Sequence, residues 1–129
     1  MPVAATLKVL VVDDQNSVRQ MTRITLEQIG IRHIHEADNG KNAMGTASLQ
    51  PLDLIISDFN MPEMDGLALL RAVRGHPAAR KIPFILLTGC GDRELVVKAA
   101  QAGANNYLIK PFTAEILRQK IEQVMGKLS

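Results

Sequence analysis

Four apolar stretches of this 129-residue chain each run into polar residues suited to holding a metal ion or a phosphoryl group. Residues 7–12 (LKVLVV) lead into Asp13 and Asp14, and residues 52–57 (LDLIIS) into Asp58. Residues 82–87 (IPFILL) lead into Thr88, and residues 106–109 (NYLI) into Lys110. If these stretches are parallel strands, their carboxyl ends share one edge of the sheet and the five side chains converge. Three carboxylates so placed repel one another, by about 4 kcal/mol per pair at ~4 Å and an effective dielectric near 20. A divalent cation relieves that repulsion. All-oxygen ligation suits Mg²⁺, with Mn²⁺ as the alternative; no His or Cys accompanies the carboxylates, so zinc is a poor fit.

Asp58 stands alone at its strand end, where a carboxylate can attack phosphorus and form an acyl phosphate. The cation and the Lys110 ammonium would neutralise the phosphoryl oxygens. The Thr88 hydroxyl and the Gly89 N–H would hold one of them, and Gly89 has no side chain to block the approach. A single strand-end Asp is more often a helix cap or a solvated loop residue. Five such residues closing four strands make accident the weaker explanation.

The elements that must position them follow from the apolar pattern. Residues 31–37 (IRHIHEA) read as a further short strand. Between the strands lie helical segments: from about Ser17 to Ile29, stopped by Gly30; from Asn39-Gly40 to about Leu49; and one carrying Leu67, Leu70 and Val73 with Asp65 as N-cap. A fourth runs to about Ala102 before Gly103, and a fifth is capped by Thr113. In the first helix Val18, Met21 and Ile29 share a face, with Leu26 at its edge and Ile24 outside it. In the last, Leu117, Ile121, Val124 and Leu128 form a core stripe. Short, nearly continuous Val/Ile/Leu strands alternating with helices predict a doubly wound α/β domain with a parallel sheet covered on both faces.

Length, composition and charge bound the rest. The chain is long enough for one domain over residues 1–129, with nothing left for an output domain. A net charge of +2, three phenylalanines, one tyrosine and no tryptophan argue against nucleic acid. Apolar stretches are strand-sized, so no membrane span or secretory leader is expected. One cysteine, Cys90, permits no internal disulfide and points to a reducing cytoplasm.

VVDD at 11–14, SDFNMPEMDG at 57–66, Thr88-Gly89 and KPF at 110–112 resemble the receiver domain of two-component response regulators. The stretch AAQAGANNYLIKPFTA (99–114) is similar to the single-domain chemotaxis regulators of that family. The resemblance implies a flavodoxin-like sheet of order 2-1-3-4-5 with five helices. It implies that Asp58 accepts a phosphoryl group from a phosphohistidine on a sensor histidine kinase. Mg²⁺ would be held by Asp14, Asp58 and the backbone carbonyl of Asn60, with Asp13 acting through water. Lys110 would pair with the phosphate, Thr88 would move to bond it, and Tyr107 would swing into the space Thr88 leaves. The Lys110-Pro111 bond would be cis. Arg93, Val96, Ala100, Tyr107 and Lys120 would form a face for a flagellar motor switch protein or a phosphotransfer protein, with a phosphatase as a further partner and the protein a monomer. Asn60, Gln15 and Cys90 would tune the phosphate lifetime.

Other features carry less. Gly89-Cys90-Gly91 before a helix lacks a full dinucleotide-binding glycine pattern, because Glu94 occupies the third position. His33 and His35 have strand spacing without a third ligand and read as exposed strand residues. Arg118, Lys120, Glu122 and Lys127 read as a solvated face.

The leading functional reading is a non-enzymatic, phosphorylation-dependent switch in chemotaxis or flagellar control. The alternative within the family is a phosphorelay intermediate. The competing class is a Mg²⁺-dependent phosphatase with an aspartyl-phosphate intermediate. Such enzymes resemble the haloacid dehalogenase type, which places a second Asp two residues on as acid/base. Asn60 stands there and cannot shuttle a proton. A receiver-like fold used only for constitutive binding is a third class.

Overall fold

Each apolar stretch named above contributes a parallel strand, and successive residues in it send their side chains to opposite faces. The computed structural model describes residues 2–89 and 91–129, so Cys90 lies outside the described residues. The strands are β1 (Lys8–Val12), β2 (His33–Ala37), β3 (Leu54–Asp58), β4 (Phe84–Thr88) and β5 (Asn106–Ile109). They alternate with α1 (Asn16–Ile29), α2 (Gly40–Leu49), α3 (Gly66–Gly75), α4 (Arg93–Ala102) and α5 (Ala114–Met125). The sheet order is β2-β1-β3-β4-β5, as the resemblance implied. An unforeseen 3₁₀ turn, Ala4–Thr6, precedes β1.

The period of two divides the core. Val9, Val11, Leu54, Ile56, Ile85, Leu87 and Leu108 face Leu26, Leu117 and Ile121 of α1 and α5. Leu10, Val12, Ile55, Phe84 and Leu86 face Ala43, Leu69, Leu70, Val73 and Ala99 of α2, α3 and α4. Strands buried on both faces need no polar alternation, which is why they read as unbroken apolar stretches.

Helix ends follow side-chain chemistry. Asn39, Asp65, Asp92 and Thr113 each accept a hydrogen bond from a first-turn amide of the helix that follows. Gly30 and Gly103 close α1 and α4 in the left-handed region, both at φ 103°. The Lys110-Pro111 peptide bond is cis.

Two periodicity expectations are corrected. Met21 is not on the core face of α1: it is 64% exposed, and Thr22 is buried in its place. The Thr22 hydroxyl donates to the Val18 carbonyl at 3.2 Å, so a polar residue satisfies itself within the helix and can face the core. Leu128 is buried, but not as part of α5, which ends at Met125 before Gly126 (φ 90°). The tail folds back instead, with Leu128 N donating to Glu122 Oε2 at 2.9 Å. Ladder pairing also begins later than the apolar stretches. Asp53 and Pro83 precede the ladders of β3 and β4, and the Asp53 carboxylate accepts from Lys8 N at 2.8 Å.

Candidate functional site

Parallel register carries the polar strand ends to one edge. Val12 lies opposite Ser57, Asp58 opposite Leu87, and Thr88 opposite Ile109. Asp13, Asp58 and Thr88 are buried, while Asp14 and Gly89 are exposed. One carboxylate oxygen from each of Asp13, Asp14 and Asp58 lies within 4.8 Å of the others. Lys110 Nζ is 2.6 Å from Asp58 Oδ1, and its backbone N–H donates to the Thr88 carbonyl at 2.8 Å. Five of the residues singled out in the sequence therefore meet at one place.

The backbone that carries Asp58 is held from two sides. Phe59 N donates to Leu87 O at 2.8 Å, and Gly66 N donates to Phe59 O at 2.8 Å. The first residue of α3 thus rests against the peptide following Asp58. A Cβ on Gly66 would overlap the Asp58 carbonyl oxygen and crowd the Phe59 Cα, so only glycine permits this approach. Between them the exposed Asn60 leads into a turn in which Glu63 takes φ 68°.

The electrostatics are those of a site short of positive charge. Burial pushes the Asp13 carboxyl above its ordinary range. The Gln15 N–H, 2.9 Å from Asp13 Oδ1, offsets part of this; the Asp58 and Asp14 charges add to it and Lys110 opposes it. Asp13 Oδ2 is buried without a hydrogen-bond partner, the one such side-chain N or O among the described residues. An unpartnered buried carboxylate oxygen beside two further carboxylates fits a hard divalent cation.

The expected partner face is distributed over three elements. Arg93 and Ala100 are exposed on α4 and Val96 is half-buried there. Tyr107 on β5 packs against the α2–α4 side of the core, and Lys120 Nζ of α5 lies 4.8 Å above its ring. His33 is exposed and His35 half-buried on β2, with no third His, Cys, Asp or Glu ligand near enough among the described residues to make a metal group.

The sequence reading missed Glu36 and Arg19, which sit beside the acidic pair. Glu36 Oε1 accepts from Arg19 Nε at 2.8 Å, and Glu36 Oε2 accepts from Arg23 at 2.7 Å. Partial burial raises the Glu36 pKa, but the hydrogen bonds and charges of Arg19 and Arg23 outweigh it and hold the carboxyl below its ordinary value. A signal existed: β2 also carries a carboxylate near its carboxyl end, the same pattern that pointed to Asp58.

Residues 9–122 match the response regulator receiver domain. The chain is 49% identical to the Rhizobium etli protein named "Probable chemotaxis protein CheY", over 99% of each chain. It is 37% identical to the chemotaxis protein CheY of Pseudomonas aeruginosa, over 95% of this chain and 99% of that one. The solved structure of the chemotaxis response regulator CheY4 of Vibrio cholerae superposes with a TM-score of 0.84 at 36% identity, covering 92% of this chain and 98% of that one.

Proposed function

The chain belongs to the response regulator receiver family, and we propose that it is a phosphorylation-dependent switch of a two-component pathway, working in the cytoplasm in chemotaxis or flagellar control. The observation that carries this reading is the placement of Lys110 Nζ 2.6 Å from Asp58 Oδ1, beside three mutually close carboxylates on one sheet edge.

Asp58 is the nucleophile. Its carboxylate oxygen attacks the phosphorus of a phosphohistidine on a sensor kinase, the P–N bond breaks, and the departing imidazole takes a proton from solvent. Asp13, Asp14, Asp58 and the Asn60 carbonyl would hold Mg²⁺, which supplies charge neutralisation for the phosphoryl oxygens. Lys110 moves from the Asp58 carboxylate to the phosphate. Thr88, at the end of β4, and the Gly89 N–H bond a phosphate oxygen. Tyr107 follows Thr88 inward, which takes its ring from beneath Lys120 and alters the surface of Arg93, Val96, Ala100 and Lys120. That surface is the site for a flagellar motor switch protein, consistent with the names of the CheY relatives. A ligand shifts such an equilibrium only by its differential affinity for the two states.

Asn60 in the place of an acid/base favours a held phosphate over turnover. The protein is then a phosphoacceptor, not a phosphatase, with Asn60 and Cys90 setting the lifetime. A second reading, a relay intermediate, draws on a groove of about 380 Å³ beside Lys110, lined by Val18, Met21, Thr22, Thr25, Pro111 and Phe112. Its exposed Met21 offers an apolar contact to a phosphotransfer protein.

The test is phosphorylation by acetyl phosphate with Mg²⁺, read by mass spectrometry, followed by capture from cell extract with and without beryllofluoride. Parent protein should gain one phosphoryl group and Asp58→Asn none. A motor switch protein should be captured only in the activated state. Capture of a phosphotransfer protein alone would favour the relay, and rapid turnover of phosphomonoesters would overturn both.

A further inference from the structure

We infer that Arg19 is a positioning residue for the acidic pair, fixing the peptide between Asp13 and Asp14 and thereby setting the divalent-ion affinity of the site. The inference rests on the metal-dependent reading above. Arg19 lies in the first turns of α1, and its side chain is only 14% exposed. All three guanidinium nitrogens are committed, each to a different segment. NH1 donates to the Asp13 carbonyl at 2.9 Å, NH2 to Asn16 Oδ1 at 2.7 Å, and Nε to Glu36 Oε1 at 2.8 Å.

The Asp13 carbonyl is half of the peptide that joins Asp13 to Asp14. Asp13 N is tied to the Ala37 carbonyl at 3.1 Å. With both the amide and the carbonyl of Asp13 held, the direction in which the exposed Asp14 leaves the strand is set. The Gln15 N–H, 2.9 Å from Asp13 Oδ1, also spans Asp14, but it holds the side chain of Asp13 and not the peptide, and the Gln15 side chain makes no capping bond. Glu36 is itself braced: Gln20 Nε2 donates to it at 2.6 Å and Arg23 at 2.7 Å. Arg19 is thus a rigid bracket from β2 to the acidic loop. A lysine offers one ammonium and cannot span three acceptors in a planar fork.

Charge alone predicts the opposite effect. A guanidinium beside a cation site repels the cation, so removing it by charge alone would tighten binding. Positioning predicts weaker binding, because loss of outer-shell support typically lowers metal affinity by about 10–100-fold.

The experiment titrates Mg²⁺ into the full chain by isothermal calorimetry for the parent, Arg19→Met, Arg19→Lys and Glu36→Gln, with metal-free melting recorded in parallel. Arg19→Met should raise the Mg²⁺ Kd about 10-fold or more. Arg19→Lys should recover part of the loss, and Glu36→Gln, which keeps one acceptor, should give a smaller rise. Should Arg19→Met fail to fold, Arg19→Lys and Glu36→Gln carry the same sign test. Unchanged or tighter binding in folded variants overturns the inference alone. A parent that binds no Mg²⁺ overturns it together with the metal-dependent reading.

Discussion

Each edge of the sheet is organised by an arginine, and the two are used in opposite ways. At the amino edge Arg74 meets no carboxylate among the described residues. Its guanidinium donates to the Gly103 carbonyl from Nε at 3.1 Å and from NH2 at 2.8 Å. It also donates to Ile82 O at 2.7 Å, Arg80 O at 3.1 Å and Asn105 Oδ1 at 3.0 Å. One side chain thereby ties the end of α4 to the loop between α3 and β4, and burial lowers its pKa. At the carboxyl edge Arg19 supports a cluster that stays short of partners, with Asp13 Oδ2 left unbonded. At the amino edge Arg74 is satisfied by neutral acceptors and adds stability. The carboxyl edge keeps like charges together, at a cost in stability. Functional sites commonly carry such a local cost, which the rest of the fold offsets.

The largest effect expected from breaking this contrast is at Arg74. Arg74→Met should lower unfolding free energy by about 3 kcal/mol, through orphaned carbonyls, while leaving Mg²⁺ affinity unchanged. Urea midpoints with an unchanged m-value, beside metal titration, check both halves. A comparable change in metal affinity would mean that the edges are coupled.

Gly66→Ala tests the carboxyl edge through its backbone. Displacing the Asp58–Phe59 peptide should destabilise by about 2 kcal/mol and slow phosphorylation by acetyl phosphate, where Arg74→Met should not slow it. Asp13→Asn should act with the reverse sign. In metal-free buffer it should stabilise by about 1 kcal/mol by removing a buried like charge, yet bind Mg²⁺ more weakly. Loss of stability on that substitution would contradict the picture of a strained acidic edge.

The smallest effect is a pH dependence. The folded Glu36 pKa lies below its ordinary value of 4.5, so its contribution is present above that value and is lost as pH falls through the folded pKa. Melting of the parent against Glu36→Gln should converge below pH 4.5 and separate above it. A gap that persisted at low pH would mean that Glu36 acts by shape and not by charge.

The same contrast explains what was legible in the sequence. Asp13, Asp14, Asp58, Thr88 and Lys110 could be read because each ends a strand, and a parallel sheet collects strand ends without further information. The alternation of strands and helices was visible for the same reason. Arg19 and Arg74 were not, because their partners are carbonyls and side chains brought close by packing, and a carbonyl has no signature in sequence. Nothing in the sequence marks Gly66 for its approach to the Asp58 carbonyl, which depends on how α3 docks. Met21 and Leu128 were misplaced by a hydrophobic stripe that knows nothing of a self-satisfied threonine or of a chain that leaves the helix and still returns to the core.

That returning chain has a consequence of its own. Ala4 N donates to Ser129 O at 3.1 Å, and Ser129 N donates to Pro2 O at 3.0 Å, so residues 2–4 and 129 meet at the amino edge. A fluorophore or tether attached at Ser129 would therefore stand across the sheet from Asp58, clear of the chemistry it would be used to report.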